Sequence, residues 1–256
     1  MGSWLTTFWL ALGYFTRLPI PASVAWSAEA QRAASRHLPL VGWVVAAGGI
    51  CAYALAAWAL PVGLAAVVSM AATVRLTGAL HEDGWADTCD GLGGGWDKTQ
   101  ALAIMKDPRM GSYGAIGLVL LLLAKALALM TLAPQGIEHL AAALLAGHAL
   151  SRLAPLAVMQ TLPYVREGDS SRAQSATGAL PPAALAWAAA WGLAPLALLA
   201  WPSALGAFAG ATLTTLYLHQ LFRRRLGGYT GDCLGAAQQL AELAIYLGLI
   251  ASWNSI

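Results

Sequence analysis

Seven apolar segments of bilayer-spanning length run along the chain, at roughly 40–60, 61–80, 112–133, 138–160, 182–201, 203–222 and 233–252. Each is close to the ~20 residues that a helix needs to cross the hydrocarbon core. Backbone groups in lipid have no water to bond, so each segment is expected to satisfy them internally as a helix. The connections alternate in kind. Those at 60–62, 134–137 and 201–203 are short, carry proline and hold no lysine or arginine. Those at 81–111, 161–181 and 223–232 are longer and polar. Ahead of the first segment lies an apolar run from Trp4 to Phe15, with no basic residue before it and Arg17 behind it. That is the wrong polarity for a secretory signal, and about a dozen residues is short for a span. Trp4, Phe8, Trp9 and Tyr14 suit a helix lying in the membrane interface, with a short tilted span as the alternative.

Composition supports the pattern. The 256 residues are 59% hydrophobic and 10% charged, against roughly 25% charged in a soluble domain. The expected fold is therefore an all-α, polytopic membrane bundle forming a single domain over 1–256. It has about seven spans, an N-terminal interfacial or cytoplasmic segment 1–37, and an acidic loop at 81–111. A net charge of +2 and the lack of a basic stripe exclude nucleic acid as a partner. Cys51, Cys89 and Cys233 are odd in number and show no C-x-x-C spacing, so neither a disulfide framework nor a zinc site is indicated.

Eleven basic residues fall on one side of this topology: Arg17, Arg32, Arg36, Lys98, Lys106, Arg109, Arg166, Arg172, Arg223, Arg224 and Arg225. None falls in the short connections, so the positive-inside rule puts the polar loops in the cytoplasm. Arg75, Lys125 and Arg152 lie within the apolar segments. Arg75 and Arg152 stand near the cytoplasmic ends and can snorkel. Lys125 stands mid-span, either a paired or functional charge or a sign that the boundary is misplaced by a few residues. Alanine and glycine runs such as Ala46-Ala47-Gly48-Gly49 and Ala188-Ala189-Ala190 suit close helix packing.

Six of the twelve acidic residues fall between Glu82 and Asp107. If the second span continues as a helix beyond the membrane, Asp83, Asp87 and Asp90 sit at i, i+4 and i+7, on one face. Like charges so close call for a cation. Oxygen ligands without Cys or His at a suitable spacing favour Mg²⁺, which is normally held by one or two carboxylates and substrate phosphates. His81 beside them suits a base or a substrate-positioning group. Lys106, Asp107 and Arg109 precede Gly111, and the two cations suit either phosphate or the interface. Gly227-Gly228-Tyr229-Thr230-Gly231-Asp232 puts a hydroxyl and a carboxylate on the same side, with Asp232 as a fourth ligand, a nucleophile-orienting group or a helix cap. His148 and Arg152, at i and i+4, can point into the bundle below, in a site or a core network.

The stretch from Gly78 to Leu92, the stretch Ile104-Met105-Lys106-Asp107-Pro108-Arg109-Met110-Gly111-Ser112-Tyr113-Gly114 and the stretch from Gly227 to Ala236 resemble, in order, three motifs of the cobalamin synthase family. Thr16-Arg17-Leu18-Pro19-Ile20-Pro21 is similar to the family's opening phrase. The resemblance covers almost the whole chain. It implies Mg²⁺-dependent joining of adenosylcobinamide-GDP to α-ribazole or its 5′-phosphate, with release of GMP. It also implies a corrinoid nucleotide and α-ribazole as partners, beside the lipid bilayer of a bacterial inner membrane, and a homo-oligomer is compatible with it. The expected catalytic residues are then Asp83, Asp87, Asp90, Asp232 and His81. The expected substrate contacts are Lys106, Asp107, Arg109 and Thr230, and the expected metal set is Asp83, Asp87, Asp90, Asp232 and Glu82. Glu82 departs from the pattern, since many members carry an apolar residue there. A CDP-alcohol phosphotransferase shares the physics but has an Ala-Arg pair after the first Asp-Gly, which this chain lacks. A transporter normally holds its site at midplane on broken helices, whereas here the acidic residues are expected outside the spans.

Overall fold

The computed structural model describes residues 4–166 and 177–253, and among these it is helical, with no β-strand. The helices are α1 (Trp4–Phe15), α2 (Ala28–Ala34), α3 (Leu38–Ala56), α4 (Val62–Thr77), α5 (Leu80–Gly94), α6 (Lys98–Ile104), α7 (Ser112–Leu132), α8 (Ile137–Leu150), α9 (Leu153–Thr161), α10 (Pro182–Leu193), α11 (Trp201–Leu226) and α12 (Gly231–Trp253). Arg172 lies outside the described residues.

Four stretches are long and apolar enough to cross a membrane: Ala28–Ala56, Ser112–Gln135, Ile137–Thr161 and Gly231–Ser252. The bent pair α4 and α5 makes a fifth if counted as one broken span. The expected seven segments are thus all helical, but they differ in reach. α10 is short and ends in the 3-10 turn Ala194–Leu198. α11 has 26 residues, about 39 Å at 1.5 Å per residue, but its last turn is Arg223, Arg224 and Arg225.

The apolar surface is turned outward as a bilayer requires. Ile116, Val119, Leu120, Leu123, Leu127 and Met130 of α7 are all exposed, and their spacing makes one stripe along the helix. α12 lies at the centre, packed against α5, α7, α8, α9 and α11. Its Ala236, Ala237, Ala241 and Ile245 have no exposed surface. Gly206 and Gly210 of α11 face the backbone of Gly248 and Ala244 of α12 so closely that a β-carbon at either would strike a carbonyl. This is the small-residue contact that lets helices meet in lipid, where no hydrophobic force drives them together.

The main departure from expectation is at residues 78–79. The second span does not run on. Gly78 (φ +67°) and Ala79 (φ +59°) both adopt the left-handed conformation, and the chain turns 87° between α4 and α5. A left-handed alanine costs roughly 1–2 kcal/mol, and the surrounding contacts hold it there. The Ala79 N–H donates to the Val74 carbonyl (3.0 Å), and the Arg17 N–H donates to the Leu76 carbonyl (2.7 Å). The region 81–111, expected as a loop, is therefore mostly the helices α5 and α6. α5 carries Glu82, Asp83, Asp87 and Asp90 within 15 residues and is not itself a span.

Lys125 is no boundary artefact. It is buried inside α7, its Nζ 2.8 Å from Glu242 Oε1 and donating to Gln239 Oε1 at 3.0 Å. Gln238 Nε2 donates to Glu242 Oε2 and to Ser151 Oγ, and the Tyr246 hydroxyl donates to Glu242 Oε1. His148 Nδ1 lies 3.5 Å from Glu242 Oε2, and Arg152 Nη1 donates to the His148 carbonyl at 2.6 Å. α7, α8 and α12 are thus tied by one buried polar network, in which Lys125 and Glu242 pair.

Candidate active site

α5 is set by contacts on both of its sides. Gly84 meets Asp232 and Gly235 at the start of α12, where a β-carbon would stand 2.9 Å from the Asp232 carbonyl oxygen. Glycine here brings the carboxylate-bearing faces of the two helices together. On the other side, Asp90 Oδ2 accepts from the Gly111 N–H (2.7 Å) and Oδ1 from the Gly114 N–H (2.8 Å). Asp90 therefore caps α7, satisfying two N–H groups that the helix itself cannot. At the far end, Arg225 Nη2 donates to the Leu92 (3.1 Å) and Gly95 (2.7 Å) carbonyls and stabilises the C-terminus of α5. Read from sequence, Arg225 was only a topology anchor.

Asp83 and Asp87 project from the face between these contacts, and no hydrogen bond or ion pair engages either carboxylate among the described residues. Burial and the neighbouring carboxylates of Asp232 and Asp83 push Asp87 up to about 7, against the pull of Arg166. The four aspartates and Arg166 thus share one electrostatic neighbourhood.

Asp232 is brought to the same place by a local pairing. The chain after α9 lies beside the turn before α12. The Tyr229 N–H donates to the Pro163 carbonyl and the Val165 N–H to the Tyr229 carbonyl, both at 3.0 Å. The Tyr164 and Tyr229 rings meet edge-on at 5.6 Å. This register puts Arg166 Nη2 2.7 Å from Asp232 Oδ2, with a further donation to the Met105 carbonyl at 3.3 Å.

Several expected residues stand elsewhere. Glu82 does not join the aspartates: one position along a helix rotates a side chain by about 100°, and Glu82 is buried, its Oε1 accepting from Gln239 Nε2 at 3.0 Å. Thr230 is fully buried and does not face a ligand. Its hydroxyl donates to Asp232 Oδ2 (3.2 Å) and accepts from the Cys233 N–H (3.4 Å). Arg109 and Asp107 pair with each other at 2.6 Å on the surface, and hydrogen bonds from Arg109 hold Asp107 down to about 2. His81 is buried and stacked on Phe15, ring centroids 6.2 Å apart. It lines a cavity of about 140 Å³ with Tyr14, Asp83, Met159, Arg166 and Asp232.

Among the described residues, no group of three or more His, Cys, Asp or Glu is arranged to hold a metal. Asp90 and Asp232 are engaged by N–H groups and by Arg166, which leaves Asp83 and Asp87. Two unengaged carboxylates one helical turn apart could hold a divalent ion only if substrate phosphates completed its coordination.

The family model for cobalamin-5-phosphate synthase, CobS, matches residues 7–250. The chain belongs to the CobS family. Among curated relatives, the adenosylcobinamide-GDP ribazoletransferase of Leptothrix cholodnii is 49% identical, covering 95% of this chain and 94% of its own length. Proteins of the same name from Ralstonia nicotianae and Shewanella woodyi are 45% and 42% identical, each covering 96% or more of both chains. No solved structure matches the chain. Membership in the CobS family puts the transporter and CDP-alcohol readings aside. The motifs on which the resemblance rested are the segments that converge here: the first forms α5, the second ends in the glycines that bind Asp90, and the third carries Asp232.

Proposed function

We propose that this chain joins adenosylcobinamide-GDP to α-ribazole, or to its 5′-phosphate, releasing GMP and forming adenosylcobalamin or its phosphate. The observation that carries this reading is that, in a CobS-family chain, Asp83, Asp232 and Arg166 line one partly apolar cavity, with Asp87 in electrostatic contact with all three. The cavity walls suit the two halves of such a reaction. Tyr14, Phe15, Leu38 and Met159 offer apolar surface to an aromatic base, and the polar end holds Asp83, Asp232 and Arg166.

In the reaction, the α-ribazole hydroxyl oxygen forms a bond to the phosphorus attached to the cobinamide side chain. The bond from that phosphorus to the bridging oxygen breaks, and its electron pair leaves with GMP. The hydroxyl proton passes to a carboxylate of the cluster that the cation leaves free. Arg166 gives a phosphate oxygen a planar guanidinium. Mg²⁺ bound at Asp83 and Asp87 would neutralise diphosphate charge in the transition state. The positive-inside bias supports an orientation with this face in the cytoplasm, and the family resemblance supports an inner-membrane location.

Purified protein supplied with adenosylcobinamide-GDP, α-ribazole and Mg²⁺ is expected to release GMP and form the joined corrinoid. Omitting α-ribazole is expected to stop both. GMP release at the same rate without the acceptor would show a hydrolase and defeat the proposal.

A further inference from the structure

Arg166 separates two cavities of opposite character. One is the acidic, partly apolar cavity already described. The other is a surface cleft of about 370 Å³ lined by Lys98, Thr99, Leu102, Ala103, Lys106, Val165 and Arg166. Among the described residues that line it, the cleft has three cations and no carboxylate. Arg109, the cation that the second motif offered beside Lys106, is not among them.

The cleft is built from segments fixed by separate contacts. α6, which supplies Lys98 and Thr99, packs its buried Ala101 and the adjoining Met105 against the core that holds Phe222 and Leu226. Val165 and Arg166 are placed by the pairing with Tyr229. Arg166 spends Nη2 on Asp232 and on the Met105 carbonyl, while its buried Nε finds no acceptor among the described residues. A buried cationic N–H left without an acceptor is costly, and an anionic oxygen in the cleft would supply one.

We propose that this cleft is the subsite for the phosphate of a nucleoside monophosphate, the group that departs when the diphosphate is broken. The inference rests on the proposed reaction and extends it by giving the leaving group its own place. The diphosphate then lies across Arg166, with the phosphorus under attack on the Asp83 and Asp87 side and the departing phosphate on the Lys98 and Lys106 side. As the bridging P–O bond breaks, the electron pair collects on the departing oxygen, and cations positioned there lower the cost of that charge. The opposite orientation would put the departing dianion among aspartates.

The test is equilibrium binding of GMP to the full chain in phosphatidylcholine nanodiscs, with guanosine as a phosphate-free control. Lys98→Ala and Lys106→Ala are each expected to weaken GMP about tenfold, a charge-assisted phosphate contact apiece. The double variant is expected to weaken it by more, with a shallower salt dependence. Guanosine binding should be unchanged in all of them. Both lysines are exposed, so the variants should melt with the wild type, and Arg109→Ala should bind GMP normally. GMP affinity within twofold of wild type in the double variant overturns the proposal, as does an equal loss for guanosine. A lipid headgroup presents the same phosphate chemistry. If phosphatidylglycerol discs displace GMP from wild type, and replacing the lysines removes that competition without changing GMP affinity in phosphatidylcholine, the cleft is a lipid site and the proposal fails. Failure of the reaction itself would appear separately, as wild type that binds GMP but releases none from adenosylcobinamide-GDP.

Discussion

Replacing Glu242 by leucine removes the partner of a lysine inside the bilayer. Lys125 Nζ lies 2.8 Å from Glu242 Oε1, with both side chains 3% exposed or less. The same carboxylate accepts from Gln238 and Tyr246. Breaking a buried pair on one side leaves an uncompensated charge and costs about 3–5 kcal/mol. At ~2–4 °C per kcal/mol for a domain of this size, Glu242→Leu should melt roughly 6–20 °C below wild type. The double variant Lys125→Met/Glu242→Leu removes both charges and should recover most of that loss, because a buried pair and a well-packed apolar pair differ little in net stability. The assay is thermal unfolding in detergent followed by tryptophan fluorescence, with the four proteins forming a double-mutant cycle. Activity adds a second readout. Gln239 bonds both Lys125 and Glu82, so the network holds the first turn of α5, and Glu242→Leu should lose turnover below its melting range as well. A single variant that melts within a degree of wild type, or a double variant no better than the single, would refute the argument that this charge is desolvated and paired.

Further outcomes are expected around α5. Asp87 is raised in the folded chain to about 7, so its contribution to stability is present at low pH and lost as pH rises through about 7. The metal-free chain should weaken across that window and gain more from added Mg²⁺ at pH 8 than at pH 6; an equal gain in melting temperature at both would contradict the cluster. Ala79→Gly relieves a left-handed alanine and should raise stability by up to about 1 kcal/mol, whereas Ala79→Val should lower it, both read by melting. Asp90→Ala leaves the Gly111 and Gly114 N–H groups without their acceptor and should cost about 1–3 kcal/mol. Asp90→Asn keeps one acceptor but turns its NH₂ towards the other N–H, so it should also destabilise the chain; melting at the wild-type temperature in either variant would mean that the cap is not what Asp90 provides.

Much of this arrangement was legible in the chain. The bilayer fixes how long an apolar run must be, so the helices at 38–56, 62–77, 112–132, 137–161 and 231–253 could be placed within a few residues. The i, i+4, i+7 spacing of Asp83, Asp87 and Asp90 also held, because α5 is a helix. Its direction was not legible. A left-handed Ala79 carries no sequence signal, and Gly78 alone does not distinguish a helix end from a bend. Glu242 escaped notice as a lone acid in an apolar run, although Lys125, equally lonely, was asking for a partner. Arg166 was read only as a topology signal, since its pairing with Asp232 depends on the contact between Tyr164 and Tyr229, which no local pattern encodes. Lys106 and Arg109 looked equivalent in the second motif. In the fold, only Lys106 faces a cleft, because Asp107 holds Arg109 at the surface.

The central claim is that Asp83 and Asp87 together form the anionic floor on which a diphosphate is broken. Its most direct test compares wild type with Asp83→Asn, reconstituted in the same lipid, by the amount of GMP and joined corrinoid formed at saturating Mg²⁺. Wild type should yield GMP and corrinoid in equal amounts, and Asp83→Asn should fall by about a thousandfold or more, as expected when a charge acting only in the transition state is lost, while melting as wild type does. Asp83→Asn turning over within a few-fold of wild type would contradict the account.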